Sequence, residues 1–247
     1  MKRIFVSIIV SFCFFSLYSQ NALTNFYNTV LKDIDQTELD SLYEDMSKNN
    51  PELFENPTMK SLFSKEHLKF KGLEMNGSLE DFYKNLKKEI PDLDGYIFDF
   101  GGLFKGTFAG SKDCIITITP NSDNNVRDIM VQFHPSDNWG MIKKEYEELC
   151  SNMTLKYGEF WAETNEYIEP YKEGDGKEVE GVLQGKIKLC QVYGLTNGYI
   201  QVCIMTATPY DSVFPENASK GPQIAVTMNY HDYKNNMVDE RAKYDDL

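Results

Sequence analysis

The sequence has few of the residues that most catalytic and metal sites require. It contains only three histidines and two tryptophans among 247 residues. The serine-hydrolase elbow Gly-x-Ser-x-Gly and the zinc motif His-Glu-x-x-His are both missing from it. No two cysteines have the close spacing of a zinc knuckle. The sequence therefore predicts no catalytic residue, no metal site and no cofactor.

Basic residues are scarce relative to acidic ones. The chain has 25 Lys and Arg residues against 38 Asp and Glu residues, which gives a formal net charge of −13. A protein of this charge repels the phosphate backbone of a nucleic acid. The composition therefore argues against nucleic acid as a partner.

Long apolar runs are also missing, apart from one at the N-terminus. Residues 4–17 are almost entirely apolar, follow Lys2 and Arg3, and precede the small residue Ser19. This pattern is typical of a secretory signal peptide, here residues 1–19, and the run is too short for a membrane span. Cleavage after Ser19 would change the formal charge to about −15, because two basic and no acidic residues are removed. We expect an exported protein, periplasmic or secreted, with no transmembrane segment.

Four cysteines follow the predicted cleavage site, too few for a disulfide scaffold in a chain of this length. Cys190 and Cys203 lie on two apolar runs that flank the turn at residues 195–198, so they fall on the same face of a predicted hairpin. A disulfide between them is geometrically allowed. Two buried free thiols are the favoured interpretation, because a bridge between neighbouring strands strains their pairing.

The clearest helix pattern covers residues 137–158. Apolar residues recur there at spacings of three and four, which places them on one side of a helix. Ser136 and Asp137 are predicted to cap its N-terminus, and Gly158 is predicted to end it. The apolar stripe consists of Trp139, Ile142, Tyr146, Leu149, Cys150 and Met153.

A second amphipathic helix is predicted shortly after residue 78. Ser78 and Asp81 have the spacing of a capping box, and Pro91 ends the pattern. Residues 20–66 form a polar, helical N-terminal segment in which Pro51 and Pro57 interrupt the periodicity. Residues 235–247 form a charged tail.

Between these segments, residues 67–234 predict one α+β domain. Strand-like runs flank both helices, and each helix is followed by a predicted hairpin that ends in Thr-Pro. This order predicts an antiparallel sheet of about six or seven strands with two helices on one face, and a β-α-β-β repeat is one origin that it allows. In such a repeat, His134 and His231 would occupy comparable strand ends and could approach each other.

Several of these stretches, residues 70–88, 103–118, 139–158 and 170–176, resemble a group of uncharacterised exported proteins of Bacteroidetes-type bacteria. The resemblance covers roughly residues 68–233 and excludes the N-terminal helical segment. The group's opening pattern resembles Phe-x-Gly-Ile-Pro-Ile-x-Gly, whereas this chain has Leu73, Glu74 and Met75 in the middle. The resemblance implies an exported bacterial protein and implies no reaction.

Two stretches interpreted as loops, residues 92–99 and 159–184, contain the candidate ligand-binding residues. Trp161, Tyr167 and Tyr171 could stack on a sugar or anchor a protein, although such rings can also fold a loop back onto a sheet. Asp92 and Asp94 supply acidic groups in the first stretch. We therefore expect a non-enzymatic binding or interaction domain for a protein or a glycan.

Two other functions use the acidic residues. A glycosidase-like hydrolase could be built from a facing pair among Asp99, Asp113, Glu163 and Glu169. Calcium could bind oxygen ligands in the two loops, although neither loop has the order of a calcium-binding hand. The acidic residues concerned are Asp92, Asp94, Asp99, Glu173, Asp175 and Glu178.

Overall fold

The computed structural model describes residues 66–208 and 222–235, together with Pro51 and helical positions between 41 and 49. The predicted signal peptide, most of the N-terminal helical segment and the tail from residue 236 onward lie outside the described residues. The strands are β1 (Lys69–Phe70), β2 (Leu73–Glu74), β3 (Asp94–Phe98), β4 (Gly101–Phe108), β5 (Ser111–Pro120), β6 (Val126–Gln132), β7 (Ala162–Tyr167), β8 (Ile187–Leu195), β9 (Gly198–Thr206) and β10 (Ile224–Asp232). The helices are α1 (Leu79–Glu89), α2 (Trp139–Tyr157) and α3 (Glu178–Leu183).

Eight of the strands form one antiparallel sheet in the order β3-β4-β5-β6-β10-β9-β8-β7. This confirms the predicted α+β class and the antiparallel sheet. The sheet has more strands than predicted because its two edge strands, β3 and β7, lie in the stretches interpreted as loops. β1 and β2 pair only with each other, in a separate two-stranded sheet.

The strand order divides the sheet into two similar halves. In the first half α1 is followed by β3, β4, β5 and β6, and in the second α2 is followed by β7, β8, β9 and β10. The halves meet where β6 pairs with β10, so that β3 and β7 occupy equivalent positions at opposite edges. The repeated unit is thus a helix followed by four strands. The predicted β-α-β-β unit does not describe this repeat, because β1, its first strand, lies outside the main sheet.

Both long helices begin and end where local residues satisfy their free backbone groups. The Ser78 side chain accepts from the Asp81 N–H at the start of α1, as predicted. At α2 the capping residue is Asn138, which accepts from the Met141 N–H, whereas the prediction placed the cap at the two preceding residues. Gly158 ends α2 with a φ of 87°, a conformation that glycine adopts without strain.

The two helices pack on the same face of the sheet, as predicted. Tyr83 of α1 stacks on Phe104 of β4, with 4.7 Å between ring centroids. On the other half, the Tyr193 hydroxyl of β8 donates to the Cys150 carbonyl of α2 at 2.8 Å. One apolar core therefore runs beneath both helices, and the predicted stripe of α2 supplies to it the buried residues Ile142, Tyr146, Cys150 and Met153.

Buried polar groups fasten the start and the end of the described domain to each other. The carboxylate of Asp232 is fully buried and accepts from the Leu68 N–H at 2.7 Å and from the Asn235 N–H at 2.9 Å. The Asn235 side chain donates to the carbonyls of Met75 and Val126, both at 2.8 Å. Because unpaired buried polar groups are costly, this network fixes the β1–β2 hairpin against the end of β10.

The cysteines differ from the favoured interpretation. Cys190 and Cys203 lie directly opposite each other on β8 and β9, with 4.1 Å between their Cα atoms, and their sulfur atoms form a disulfide. The predicted hairpin register is therefore right and the expectation of two free thiols is wrong for this pair. Cys114 and Cys150 are buried thiols, and burial raises the pKa of each to about 11. Such thiols remain protonated at neutral pH and act as core residues.

Candidate functional site

The three aromatic residues expected to bind a ligand have different surroundings. Trp161, just before β7, is 44% exposed. Tyr171 is buried and its hydroxyl donates to Glu180 at 3.1 Å. Tyr167 pairs with Ile187 at the end of β7, is half-buried, and has a buried hydroxyl with no hydrogen-bond partner. Of the three, Trp161 is the one that offers a ring to solvent.

The two acidic candidates also have different roles. Asp92 accepts from the Thr107 hydroxyl at 2.6 Å and from the Thr107 N–H at 3.2 Å, and these bonds hold the pKa of its carboxyl below the usual range. Asp92 therefore ties the chain entering β3 to β4. Asp94 is the exposed first residue of β3, opposite Lys105. Its carboxylate is thus available at the edge of the sheet.

The structure does not bring these candidates into one site. The acidic pair lies beside β3, and the aromatic residues lie just before, in and after β7, at the opposite edge of the eight-stranded sheet. Neighbouring strands are about 4.8 Å apart, so roughly 30 Å separates the two edges. A single ligand site built from both groups is therefore ruled out by the strand order.

The carboxylates considered for a hydrolase are divided in the same way. Asp99 and Asp113 belong to the β3–β5 half, where Asp113 lies 4.0 Å from the Lys105 ammonium. Glu163 lies on β7 and accepts from the Gln191 side chain, and Glu169 precedes a cis proline in the same half. No pair across the two halves can flank one glycosidic bond.

The second acidic loop uses its carboxylates to hold its own backbone. Asp175 accepts from the N–H groups of Lys172 and Lys177, which lower the pKa of its carboxyl. Glu178 is buried and accepts from the Gly174 N–H at 2.8 Å. Among the described residues there is no group of three or more His, Cys, Asp or Glu side chains placed to hold a metal ion.

Two of the three histidines, His67 and His231, lie beside carboxylates. His231 lies opposite Asp128, and its Nδ1 is 2.7 Å from that carboxylate, which Arg127 also contacts at 2.6 Å. His67 similarly lies 3.2 Å from the buried Asp232. The expected approach of His134 to His231 is wrong, because β6 and β10 run antiparallel and these residues fall at opposite ends of the pair.

The sequence indicated residues 92–99 through their acidic groups, but it did not indicate the apolar surface that β3 and the turn after it form. Four exposed apolar side chains occur within five consecutive residues: Tyr96 is 57% exposed, Ile97 37%, Phe98 39% and Phe100 80%. Phe98 and Phe100 stack on each other with 5.7 Å between ring centroids. We call residues 94–100 the β3 edge. Exposed aromatic residues at this density are typical of a surface that binds another molecule.

Glycines in and beside β3 determine how this edge is formed. Ile97 and Phe98 lie opposite Gly102 and Gly101, so β4 has no side chain of its own beside them. Gly95 has a φ of +155°, and a Cβ atom there would collide with the Leu103 carbonyl and lie 2.7 Å from the Phe104 Cα. The close pairing of β3 with β4 therefore depends on glycine at position 95.

The outer backbone groups of β3 have no strand partner in the described part of the chain. The turn from Phe98 to Gly101 contains two residues, and the pair that closes such a turn exchanges hydrogen bonds. Bonded and non-bonded pairs alternate along an antiparallel ladder. We therefore infer that the N–H and C=O groups of Gly95 and Ile97 point outward, where another strand could bond to them.

The charge around the β3 edge is negative. No lysine or arginine occurs from residue 89 to residue 104, a stretch that contains Glu89, Asp92, Asp94 and Asp99. Asp94 and Asp99 are exposed and lie at the two ends of the apolar segment. The edge thus combines an apolar centre with acidic ends.

One further concave surface lies at the end of the sheet where β8 turns into β9. It is an open groove of about 380 Å³ beside the β8–β9 turn, lined by Glu66, Leu68, Lys69, Tyr157 and residues 194–197. The groove is shallow and contains no converging set of catalytic side chains. Among the described residues, no helix is long and apolar enough to span a membrane.

Comparison of the chain with protein-family models, with curated proteins and with solved structures found no match. The function of the chain is therefore inferred from the chemistry of its surface. An apolar, acid-flanked edge strand with outward backbone groups is the feature of the described residues best suited to binding.

Proposed function

We propose that this chain is an exported interaction domain that binds an extended segment of another protein along the β3 edge. The observation that carries the proposal is the row of exposed apolar side chains, Tyr96, Ile97, Phe98 and Phe100, on an edge strand. Addition of a strand satisfies the outward backbone groups and covers the aromatic rings in one step. An unprotected apolar edge would otherwise promote aggregation.

Export is supported by the pattern of residues 1–19 and is compatible with the Cys190–Cys203 disulfide, since disulfides persist in oxidising compartments. Mass spectrometry of the protein recovered from its own cells should give a mature chain that begins at Gln20. A chain that retains residues 1–19 in the cytoplasm would contradict this part of the proposal.

A different protein is favoured as the partner over a second copy of this chain. The formal net charge is −13, and the β3 edge itself has acidic ends. Bringing two such surfaces together concentrates charge of one sign and weakens association. A second copy is therefore an outcome that the experiment must be able to reveal.

Position-specific photocrosslinking tests the proposal. A benzoylphenylalanine residue would replace Phe100, which is 80% exposed, and in a control chain it would replace Leu155 on α2, which is 83% exposed. Both chains would be irradiated in the cells that produce the protein, and the adducts would be identified by mass spectrometry. We expect a discrete adduct with another protein from position 100 only.

A proline variant links that adduct to strand addition. Ile97→Pro removes an N–H group that points outward, and proline is tolerated on edge strands in that orientation. We expect the variant to lose the adduct while its circular dichroism and unfolding midpoint stay close to those of the parent chain. Adducts that are the same from both crosslinker positions, that persist in the proline variant, or that contain two copies of this chain would overturn the proposal.

A further inference from the structure

The chemistry of the β3 edge also restricts the segment that it accepts. We infer that the partner segment is an extended stretch with apolar side chains at alternate positions and basic residues at both ends. This inference rests on the proposed function and adds the class of sequence that is recognised.

The requirement for apolar side chains at alternate positions of the partner segment follows from the two faces of β3. Tyr96 and Phe98 lie on one face of the sheet, since strand residues two apart point the same way. A strand paired beside β3 places its own alternate side chains next to these rings, where apolar or β-branched residues pack best. The intervening side chains of the partner lie on the face of Ile97, which is 37% exposed.

The requirement for basic residues at both ends of the partner segment follows from the positions of the carboxylates. Asp94 is the first residue of β3 and Asp99 immediately follows its last residue, so the two charges are separated by the length of the strand. Lys105 lies directly opposite Asp94 on β4, but its ammonium group is 4.0 Å from Asp113, and no lysine or arginine occurs between residues 89 and 104. A partner with Lys or Arg at both ends of its apolar stretch meets both carboxylates whichever direction it runs.

The direction of the partner strand is therefore not fixed by charge. Because the acidic residues lie at both ends, parallel and antiparallel strands present the same charges to the edge. The β3 edge instead discriminates between segments with basic ends and segments with acidic ends. Like charges brought together at an interface are strongly unfavourable, so the difference in affinity should be large.

Fluorescence anisotropy with synthetic labelled peptides tests the inference on the intact mature chain. The reference peptide alternates valine and threonine and has lysines at both ends. One control has the same composition in scrambled order, and another has glutamates in place of the lysines. We expect the reference peptide to bind about tenfold or more tightly than either control, and to weaken as salt rises from about 50 mM to about 500 mM.

A charge exchange gives the most specific result. The double variant Asp94→Lys/Asp99→Lys should prefer the glutamate-ended peptide and lose affinity for the lysine-ended one. The matched control, Glu159→Lys/Glu166→Lys, makes the same change of charge beside the other edge strand, where both residues are exposed, and should leave the preference unaltered. Equal effects of the two double variants would show that net charge, and not the β3 edge, decides binding.

The outcomes separate this inference from the proposed function. If no peptide binds, or if the scrambled or acidic-ended peptide binds as tightly as the reference, the partner class is wrong. The crosslinking result at position 100 and its loss in the proline variant would then still support strand addition by a partner of different sequence. If the peptide binds but sedimentation shows self-association lost in Ile97→Pro, a second copy competes for the edge and the partner assignment fails.

Discussion

The two edge strands of the sheet occupy equivalent positions in the two halves of the fold and have opposite surface chemistry. On β7 the exposed side chains include Glu163 and Glu166, and Glu166 lies 3.5 Å from the Lys188 ammonium on β8. On β3 the exposed side chains are mainly Tyr96, Ile97 and Phe98. The same place in a repeated unit is thus charged at one edge and aromatic at the other.

This difference shows which edge is protected and which is available. Charged residues on an edge strand discourage pairing with other chains, because the incoming strand would have to desolvate them. The β7 edge has this protection and the β3 edge lacks it along its apolar centre. Since β3 and β7 hold equivalent places at the two edges of the sheet, the side chains are what favour β3 as the proposed binding edge.

The largest expected effect is the difference in stability between a variant in the core beneath β3 and a variant at the β3 edge itself. Phe104 is fully buried and stacks on Tyr83, so Phe104→Ala should lower the free energy of unfolding by about 3–5 kcal/mol. Phe98→Ala removes an exposed ring and should change stability by less than about 0.5 kcal/mol. Urea unfolding of both variants measures this. A large loss for Phe98→Ala would mean that the edge is part of the core.

The next effect concerns the β7 half, which contains the disulfide. Cys190 and Cys203 are separated by 13 residues, and removing a bridge that closes a loop of this length costs about 3 kcal/mol. The double variant Cys190→Ala/Cys203→Ala should therefore unfold at lower urea concentration than the parent. A reducing agent should lower the parent to the level of the variant and leave the variant unchanged; no response to reductant would show that the bridge is not formed in solution.

A smaller effect tests the glycine that allows β3 to pair. Gly95→Ala places a Cβ against the Leu103 carbonyl at a φ of +155°, which should cost about 1–3 kcal/mol. The amides of residues 94–98 should then exchange with solvent faster than in the parent. On the other edge, Thr164→Ala should leave exchange in β7 nearly unchanged. Protection of β3 that survives the glycine substitution would contradict the proposed pairing geometry.

A hydrogen bond under the β7 half should contribute less. Tyr193→Phe keeps the ring and removes the hydroxyl that donates to the Cys150 carbonyl at 2.8 Å. The expected loss is about 1 kcal/mol, because a buried carbonyl loses one of its partners. Urea unfolding against the parent provides the measurement. An unchanged midpoint would indicate that this bond does not fasten α2 to β8.

The smallest expected effect is a loss of stability at low pH, which we expect in both halves of the sheet. The Thr107 hydrogen bonds lower the pKa of Asp92, and backbone N–H groups lower that of Asp175. A carboxyl whose folded pKa lies below its unfolded value of about 3.9 stabilises the fold above that pH, and this stabilisation is lost as the pH falls through the folded pKa. NMR titration should show both carboxyls protonating below pH 4, and Asp92→Asn should reduce the acid sensitivity near β3 only.

Patterns within short stretches of sequence predicted much of the fold. The stripe of α2, its glycine end and the Ser78 cap of α1 follow from spacings of three to four residues, and the β8–β9 hairpin follows from the turn between two apolar runs. The edge strands were missed because each departs from the usual strand pattern. β3 begins with Asp-Gly and adjoins two further glycines, and β7 is almost wholly polar.

The candidate site was predicted only in part. Asp94 belongs to the β3 edge, whereas Tyr171 is buried and Asp92 is held by Thr107. The exposed rings of Phe98 and Phe100 were not predicted, since phenylalanine is usually buried and the sequence alone does not show which rings remain exposed. Which rings face solvent depends on the strand order, and residues adjacent in the sequence do not determine it.

The sequence by itself determined the two helices, their apolar faces and the antiparallel α+β class, because these follow from periodicity along the chain. Tertiary structure alone decided that β6 pairs with β10, that Cys190 is bonded to Cys203, and that β3 and β7 lie at the edges. The β6–β10 pairing joins residues far apart in sequence, and the edges depend on which strands remain to pair with, whereas the disulfide depends on the exact register of the β8–β9 hairpin. The exposure of the β3 edge, and with it the proposed binding surface, is a consequence of that choice.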